Sequence, residues 1–245
     1  MFGRVGFLTF CVSRSQTIVH CERKCHGFND HALSKKSYWN SQYQPKKIRA
    51  IDWLAPADVI ADHVISKVGI LPTSDCQSFI HLLDLGCGTS DVPLCLAQSL
   101  GVPLHLVCLD YVPNAARWQT EKLAKSSPVN TLSTHACITG DVRALPFRDK
   151  TFHVVLEKGT LDSLLKDRGM ARQSCDRMMA ECIRVLRTEG VLLQITDEDP
   201  DLRIQLLEDT FSRIQVSARV SYTQIDTQGQ ECFMYAVTPK SSHKS

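Results

Sequence analysis

Seven stretches of the chain have the apolar run length of a strand, and between most of them lie stretches with helical spacing. The first strand is Ile80, Leu82, Leu83 and Leu85, the second Leu104 to Leu109, the third about Leu132 to Ile138. The fourth is Phe152 to Leu156 and the fifth runs from Gly190 to Ile195. Two more, near Gln215 to Ser221 and Glu231 to Thr238, are separated by a turn at Gln228 and Gly229 and predict a hairpin. Pro56 to Val68 reads as a helix with Val59, Ile60, His63, Val64 and Val68 on one face, stopped by Gly69; His63 there is a core residue. Arg172 to Arg187 is the most amphipathic stretch, with Cys175, Met178, Met179, Cys182, Ile183 and Leu186 on one stripe and Asp176, Arg177, Glu181, Arg184 and Arg187 opposite. This order predicts one α/β domain over residues 30–245 with a doubly wound, mixed sheet closed by a C-terminal antiparallel hairpin.

The candidate chemistry sits where the strands end. The first runs straight into Gly86-Cys87-Gly88-Thr89-Ser90, and glycines there let the backbone take positive φ and bring its amides close to a ligand. A helix starting near Ser90 or Asp91, with Pro93 in its first turn, aims free N–H groups at the same spot. A dinucleotide turn wants a third glycine where this chain has Asp91, whose charge opposes a pyrophosphate, so NAD and FAD are disfavoured. The second strand ends at Asp110-Tyr111, and Asp110, 22 residues past Gly88, is placed to accept both hydroxyls of a ribose. The third leads to Asp141-Val142, and the fourth to Glu157-Lys158-Gly159-Thr160-Leu161-Asp162. The fifth opens onto Asp197-Glu198-Asp199-Pro200, in which Asp199 and Pro200 read as a helix cap and first turn.

Composition narrows the class. With 245 residues, 43% hydrophobic and 22% charged, the chain suits one globular domain with a short extension. No apolar run approaches the roughly 18 residues of a membrane span, and a formal net charge of +2 with no basic, aromatic-interleaved block argues against a nucleic-acid partner. The eleven cysteines are scattered through predicted strands and helices and form no disulfide framework; Cys21, Cys25 and His26 lack a second ligand pair, so no metal is expected. Met1 to about Asn29 has four arginine or lysine residues, several hydroxyl residues and one acid, Glu22, which suits a mitochondrial transit peptide; the alternative is a disordered tail. Residues 38–54 carry Tyr38, Trp39, Tyr43 and Trp53 in an otherwise polar segment, an aromatic lid whose ring faces would attract a cationic ligand.

The run Leu83-Asp84-Leu85-Gly86-Cys87-Gly88-Thr89 resembles the first motif of the class I S-adenosylmethionine-dependent methyltransferases, whose sheet is Rossmann-like and seven-stranded. Trp39 with Tyr43, Asp52-Trp53 and the 157–162 run are similar to the protein-lysine group that modifies elongation factor 1A and its relatives. That resemblance covers about Tyr38 to Thr238 and implies S-adenosylmethionine as cofactor, S-adenosylhomocysteine as product, and Trp39, Tyr43, Trp53, Gly86, Asp110, Tyr111, Asp141, Val142 and Lys158 as cofactor contacts. Asp84 and Gly88 join them from the first motif. The run Asp197 to Arg203, with the basic leader, is most similar to the branch of that group that methylates citrate synthase in mitochondria. It implies citrate synthase as protein partner and a matrix location, the alternative being a cytoplasmic enzyme acting on an elongation factor.

Methyl transfer to an amine asks the protein for alignment and a dry site rather than for a metal. No residue stands out as a general base. Glu157, Asp162, Asp197 and Glu198 are candidates for orienting an incoming ammonium, since carboxylates would raise its pKa rather than deprotonate it. A small-molecule methyltransferase would share every cofactor residue and differ only at the 157–162 and 197–201 runs. A dehydrogenase lacks its third glycine and Tyr/Lys pair here, and a non-catalytic homologue would have lost the turn or the ribose acid.

Overall fold

The structure, a computed structural model, describes residues 19–20, 30–69, 79–126, 133–227, 229 and 231–240. Apart from Val19 and His20, the leader with Cys21, Cys25 and His26 lies outside the described residues, as do Leu132 and Gln228. In chain order the elements are β1 (Val19–His20), α1 (Lys36–Gln42), β2 (Asp52–Trp53), α2 (Ala57–Val68), β3 (Ile80–Leu85), α3 (Val92–Ser99), β4 (Leu104–Asp110), α4 (Pro113–Ala124), β5 (Thr134–Thr139) and β6 (Phe152–Lys158). They continue with α5 (Thr160–Leu165), α6 (Ala171–Val185), β7 (Leu186–Thr196), α7 (Pro200–Arg213), β8 (Ala218–Ile225) and β9 (Cys232–Pro239).

Seven strands form one sheet in the order β5-β4-β3-β6-β7-β9-β8. The strands β3 to β7 are parallel, and β9 runs antiparallel to both β7 and β8, the expected closing hairpin. This is the class I methyltransferase arrangement. The chain builds outward from β3 to β5, then returns to β6 on the other side of β3, so a crevice opens between the carboxyl ends of β3 and β6.

A parallel sheet covered by helices must be apolar on both faces, and β3 shows how the sequence does it. Ile80 and Leu82 pack with Ile60, Val64 and Leu96 of α2 and α3, whereas Leu83 and Leu85 pack with Met178, Met179 and Phe211 of α6 and α7. Each leucine so buried contributes about 1.5–3 kcal/mol relative to exposure. The methionines of α6 are core, as its stripe implies, with Val185 buried and Ile183 only partly so.

The boundaries differ from the sequence reading chiefly at the α6–β7 junction and at the starts of the hairpin strands. Helix α6 stops at Val185, and β7 starts at Leu186 rather than Gly190. Leu186 pairs with Phe152 and Val191 with Val154, so five residues of β7 pass opposite two of β6; Gly190 sits in this bulge, where a Cβ would lie 2.9 Å from the His153 carbonyl oxygen. The hairpin strands begin at Ala218 and Cys232, and Gln215, at φ 56°, breaks the extended backbone before the first of them. His63 is half-buried and its ring bonds the Val59 carbonyl one turn back (2.9 Å), away from the crevice.

Candidate active site

The crevice holds a cavity of about 850 Å³. Its walls are the carboxyl ends of β3, β4, β5, β6 and β7 with the aromatic segment laid across them. Gly86 (φ 67°) and Gly88 (φ 51°) both take the left-handed conformation in which a side chain is strained. Space is also closed to one: a Cβ on Gly86 would collide with the Thr160 hydroxyl, and on Gly88 it would lie 2.8 Å from Tyr43 Oη. Thr160 Oγ1 meanwhile donates to Leu85 O (2.9 Å), locking the β6 end to the β3 end.

Asp110 is buried, and its carboxylate accepts from Gly88 N (2.9 Å) through Oδ2 and from Val112 N (2.8 Å) through Oδ1. An ionised carboxylate has about four lone-pair sites. Two remain for hydroxyls entering the cavity, which Asp110 lines. Burial pushes its pKa up to about 6, with the amides of Val112 and Gly88 opposing. From α4, the buried Gln119 donates through Nε2 to Gly88 O (3.2 Å) and Ser90 O (2.8 Å). Asp141 lines the cavity from the β5 end; Arg143 grips both its oxygens through Nε (3.0 Å) and Nη2 (2.7 Å) and holds it below the usual carboxylate range. Val142 is buried beside it in the wall.

In the lid, Trp39 stacks on Tyr43 at 5.7 Å between ring centroids and meets Trp53 edge-on at 6.2 Å. Trp39 is fixed by donation from Nε1 to Leu33 O (2.7 Å), and Tyr43 is buried against Val112 and Ala115. The lid is joined to the glycine turn through Asp52, which is fully buried and accepts from Ser90 Oγ (2.5 Å) and Asp91 N (3.1 Å) at the start of α3.

Thirteen of the fifteen residues singled out from sequence line the cavity: Trp39, Tyr43, Trp53, Gly86, Gly88, Asp110, Tyr111, Asp141, Val142, Lys158, Asp162, Asp197 and Glu198. Asp84 and Glu157 do not. Asp84 points from β3 to the same face as Leu82, beneath the turn, where burial raises its pKa to about 7 against the pull of the Lys158 ammonium. Lys158 itself reaches the cavity half-buried, its pKa lowered by burial, with Asp52 and Asp84 opposing. Glu157 is buried and caps α5, accepting through Oε2 from Thr160 N (3.0 Å) and Leu161 N (3.2 Å); burial raises its pKa. A carboxylate on the last inward-facing position of a strand was available to the following helix, and the helix took it.

The mouth is therefore less acidic than the sequence implies. Asp199 caps α7, accepting from Asp201 N (2.9 Å), and Asp162 is ion-paired with the fully buried Arg203. Asp197 and Glu198 remain exposed on the cavity rim, joined by Glu231 from the β8–β9 turn. Asp91 pairs with Lys122 of α4 and does not line the cavity, so its charge is offset by a neighbouring cation. Arg143, Gln119 and Arg203 were missed because no local pattern marks a residue whose partner is brought up by another element. Arg203 lay inside the quoted 197–203 run without a role.

Residues 83–194 match the family model described as a methyltransferase domain. The zebrafish (Danio rerio) mitochondrial citrate synthase-lysine N-methyltransferase is 26% identical over 218 residues, 85% of each chain. A mouse (Mus musculus) eEF1A lysine and N-terminal methyltransferase is 28% identical over 164 residues, 65% of this chain but 21% of that one. Among solved structures, a SAM-dependent methyltransferase from Aquifex aeolicus superimposes with a TM-score of 0.53 at 16% identity, covering 82% of this chain and 97% of the other. One from Leishmania major gives 0.56 at 15% identity, covering 86% and 82%. With the sheet order, the glycine turn and the strand-end acids, these matches show a methyltransferase domain over residues 83–194, set in the seven-stranded fold that the chain shares with S-adenosylmethionine-dependent methyltransferases.

Proposed function

We propose that this protein is a protein-lysine N-methyltransferase whose substrate is citrate synthase in the mitochondrial matrix. The observation that carries the reading is the rim, where Asp197, Glu198 and Glu231 stand exposed beside a cavity walled by Trp39 and Trp53. A lysine side chain is a cation on a long apolar stem, which suits acids outside and rings within. The 85% coverage of the citrate synthase-lysine enzyme supports the same substrate.

The residues fit S-adenosylmethionine. Asp110 keeps two lone-pair sites for ribose hydroxyls, Asp141 stands one strand over, and Thr89 Oγ1 is a buried hydroxyl on the cavity wall without a protein partner. When bound, the cofactor supplies a methyl group on a sulfonium, transferred by in-line displacement to leave the thioether. The chain orients the amine and excludes water. An ammonium of pKa near 10.4 costs roughly 4.6 kcal/mol to deprotonate at pH 7, and stripping its water against the lid rings lowers that figure. Asp197 and Glu198 raise the ammonium's pKa and so serve capture and alignment.

Purified citrate synthase incubated with the protein and methyl-labelled cofactor should become labelled on lysine. An elongation factor 1A arm in the same assay tests the mouse relative's named substrate, and label there alone overturns the citrate synthase reading. Residues 1–29 fused to a fluorescent reporter should carry it into mitochondria; a diffuse signal overturns the matrix location.

A further inference from the structure

Two thiols, Cys108 and Cys137, stand behind the glycine turn and a third, Cys87, within it, and the methyl transfer derived above uses none of the three sulfurs. Cys108 and Cys137 are direct register partners in the adjacent parallel strands β4 and β5, so their side chains leave the sheet on the same face. Neighbouring strands lie about 4.8 Å apart, inside the range of about 4.4–6.8 Å between Cα atoms that a disulfide spans. The Cys108 thiol neighbours those of both Cys137 and Cys87 and can share its one proton with either, and Cys87 is the middle residue of the Gly86–Gly88 turn, lining the cavity. All three are free; Cys87 and Cys108 are buried, while Cys137 is partly open to solvent.

We propose that Cys137 is an oxidation site whose resolving partner is Cys108, forming a thiol–disulfide switch on the back of the cofactor turn. The hydrogen bond from Cys108 holds the Cys137 thiol below its ordinary range, while Cys108 is raised by its thiol neighbours and by burial. Cys137 is thus the sulfur that meets a small oxidant first. With hydrogen peroxide as oxidant, the Cys137 sulfur attacks the O–O bond, becoming a sulfenic acid and releasing water. The Cys108 sulfur then displaces the sulfenic oxygen: the S–S bond forms, the S–O bond breaks, and the Cys108 proton leaves in a second water. Two thiols are oxidised and one peroxide is reduced to two waters. Bonded to Cys137, Cys108 has no proton left to share with Cys87, and the turn loses that support from below.

The chemistry stands apart from the functional reading, whereas its effect on cofactor affinity rests on it, and the test separates the two. The full-length protein is treated with stoichiometric hydrogen peroxide, its remaining thiols are alkylated, and non-reducing peptide maps are read by mass spectrometry. A Cys108–Cys137 linked peptide should form, vanish on reduction with dithiothreitol, and be absent from Cys137→Ser. Oxidation should weaken S-adenosylmethionine binding by about twofold to tenfold, the loss of one hydrogen bond. Reduced Cys137→Ser should bind as wild type and ignore peroxide. Peroxide that leaves both thiols free, or over-oxidises Cys137 without linking it to Cys108, overturns the site. A disulfide that leaves affinity unchanged overturns the switch alone. Failure of the reduced wild type to bind S-adenosylmethionine overturns the functional reading, with the peptide map still deciding the disulfide.

Discussion

At the floor of the cavity the backbone of the glycine turn is held by buried side chains, the Gly88 N–H by Asp110 and the Gly88 and Ser90 carbonyls by Gln119. At the mouth, Asp197 and Glu198 face solvent on a loop, where the Asp162 carboxylate beside them is already committed to Arg203. The first region is fixed before a ligand arrives, so its contacts add to affinity without an ordering cost. The second acts through charge over distance, which favours encounter and orientation and is weakened by salt. Floor and mouth should therefore fail separately, one in cofactor affinity and the other in protein-substrate recognition.

The floor gives the largest effect. Asp110→Ala removes two charge-assisted hydrogen bonds to a ribose, worth roughly 3–6 kcal/mol together, and should abolish measurable cofactor binding with the fold retained. Calorimetry showing affinity within about threefold of wild type would refute the assignment. The same carboxyl gives a pH dependence. With its pKa at about 6, it is ionised at pH 8 and protonated at pH 5, losing acceptor sites, so affinity should fall as pH drops through about 6. The stability sign is opposite: a carboxyl raised on folding favours the folded state below its unfolded pKa, and that contribution is lost as pH rises through about 6. Cofactor affinity flat from pH 8 to 5 contradicts this account.

Next comes Arg203. Replacing it with alanine leaves Asp162 and the buried Glu157 without their cation, and breaking a buried pair costs about 3–5 kcal/mol. Because Glu157 can respond by taking up a proton, the low end is expected, and thermal denaturation at pH 8 against pH 6 should show a larger loss at pH 8. Equal melting temperatures for variant and wild type exclude a structural role. The smallest effect belongs to the mouth. Asp197→Asn with Glu198→Gln should raise the apparent Michaelis constant for citrate synthase by about tenfold, or 1.4 kcal/mol, shrink with added salt, and leave cofactor affinity alone. Normal turnover of citrate synthase by the double variant at low salt ends the capture role of these acids.

The same contrast explains what the sequence disclosed. Strand ends, glycine turn and ribose acid were legible because each is a local event: a run of apolar residues, a φ that only glycine takes easily, an acid at a fixed distance. The doubly wound, mixed sheet followed from alternation and the last hairpin. The acids of the mouth were misjudged because a carboxylate's meaning depends on what reaches it. Glu157 went to helix N–H groups and Asp162 to an arginine 41 residues later, a separation at which sequence carries no spacing rule, whereas Asp199 is the helix cap that its place before Pro200 implies. Asp84, counted with the cofactor residues for its place in the motif, shares a sheet face with Asp110 and Lys158 but lies short of the strand's end, buried beneath the turn.

The sheet order also governs when the molecule can finish folding. Gly190 to Thr196 of β7 are buried without a break, and their second neighbour is β9, whose residues come 36 or more positions later at Cys232–Pro239. During synthesis from the N-terminus, β7 emerges while one of its edges has no strand to pair with. A long, apolar, unpaired edge is a template for aggregation. Premature stops or destabilising changes in β9 should thus deplete the protein by a route unrelated to its chemistry.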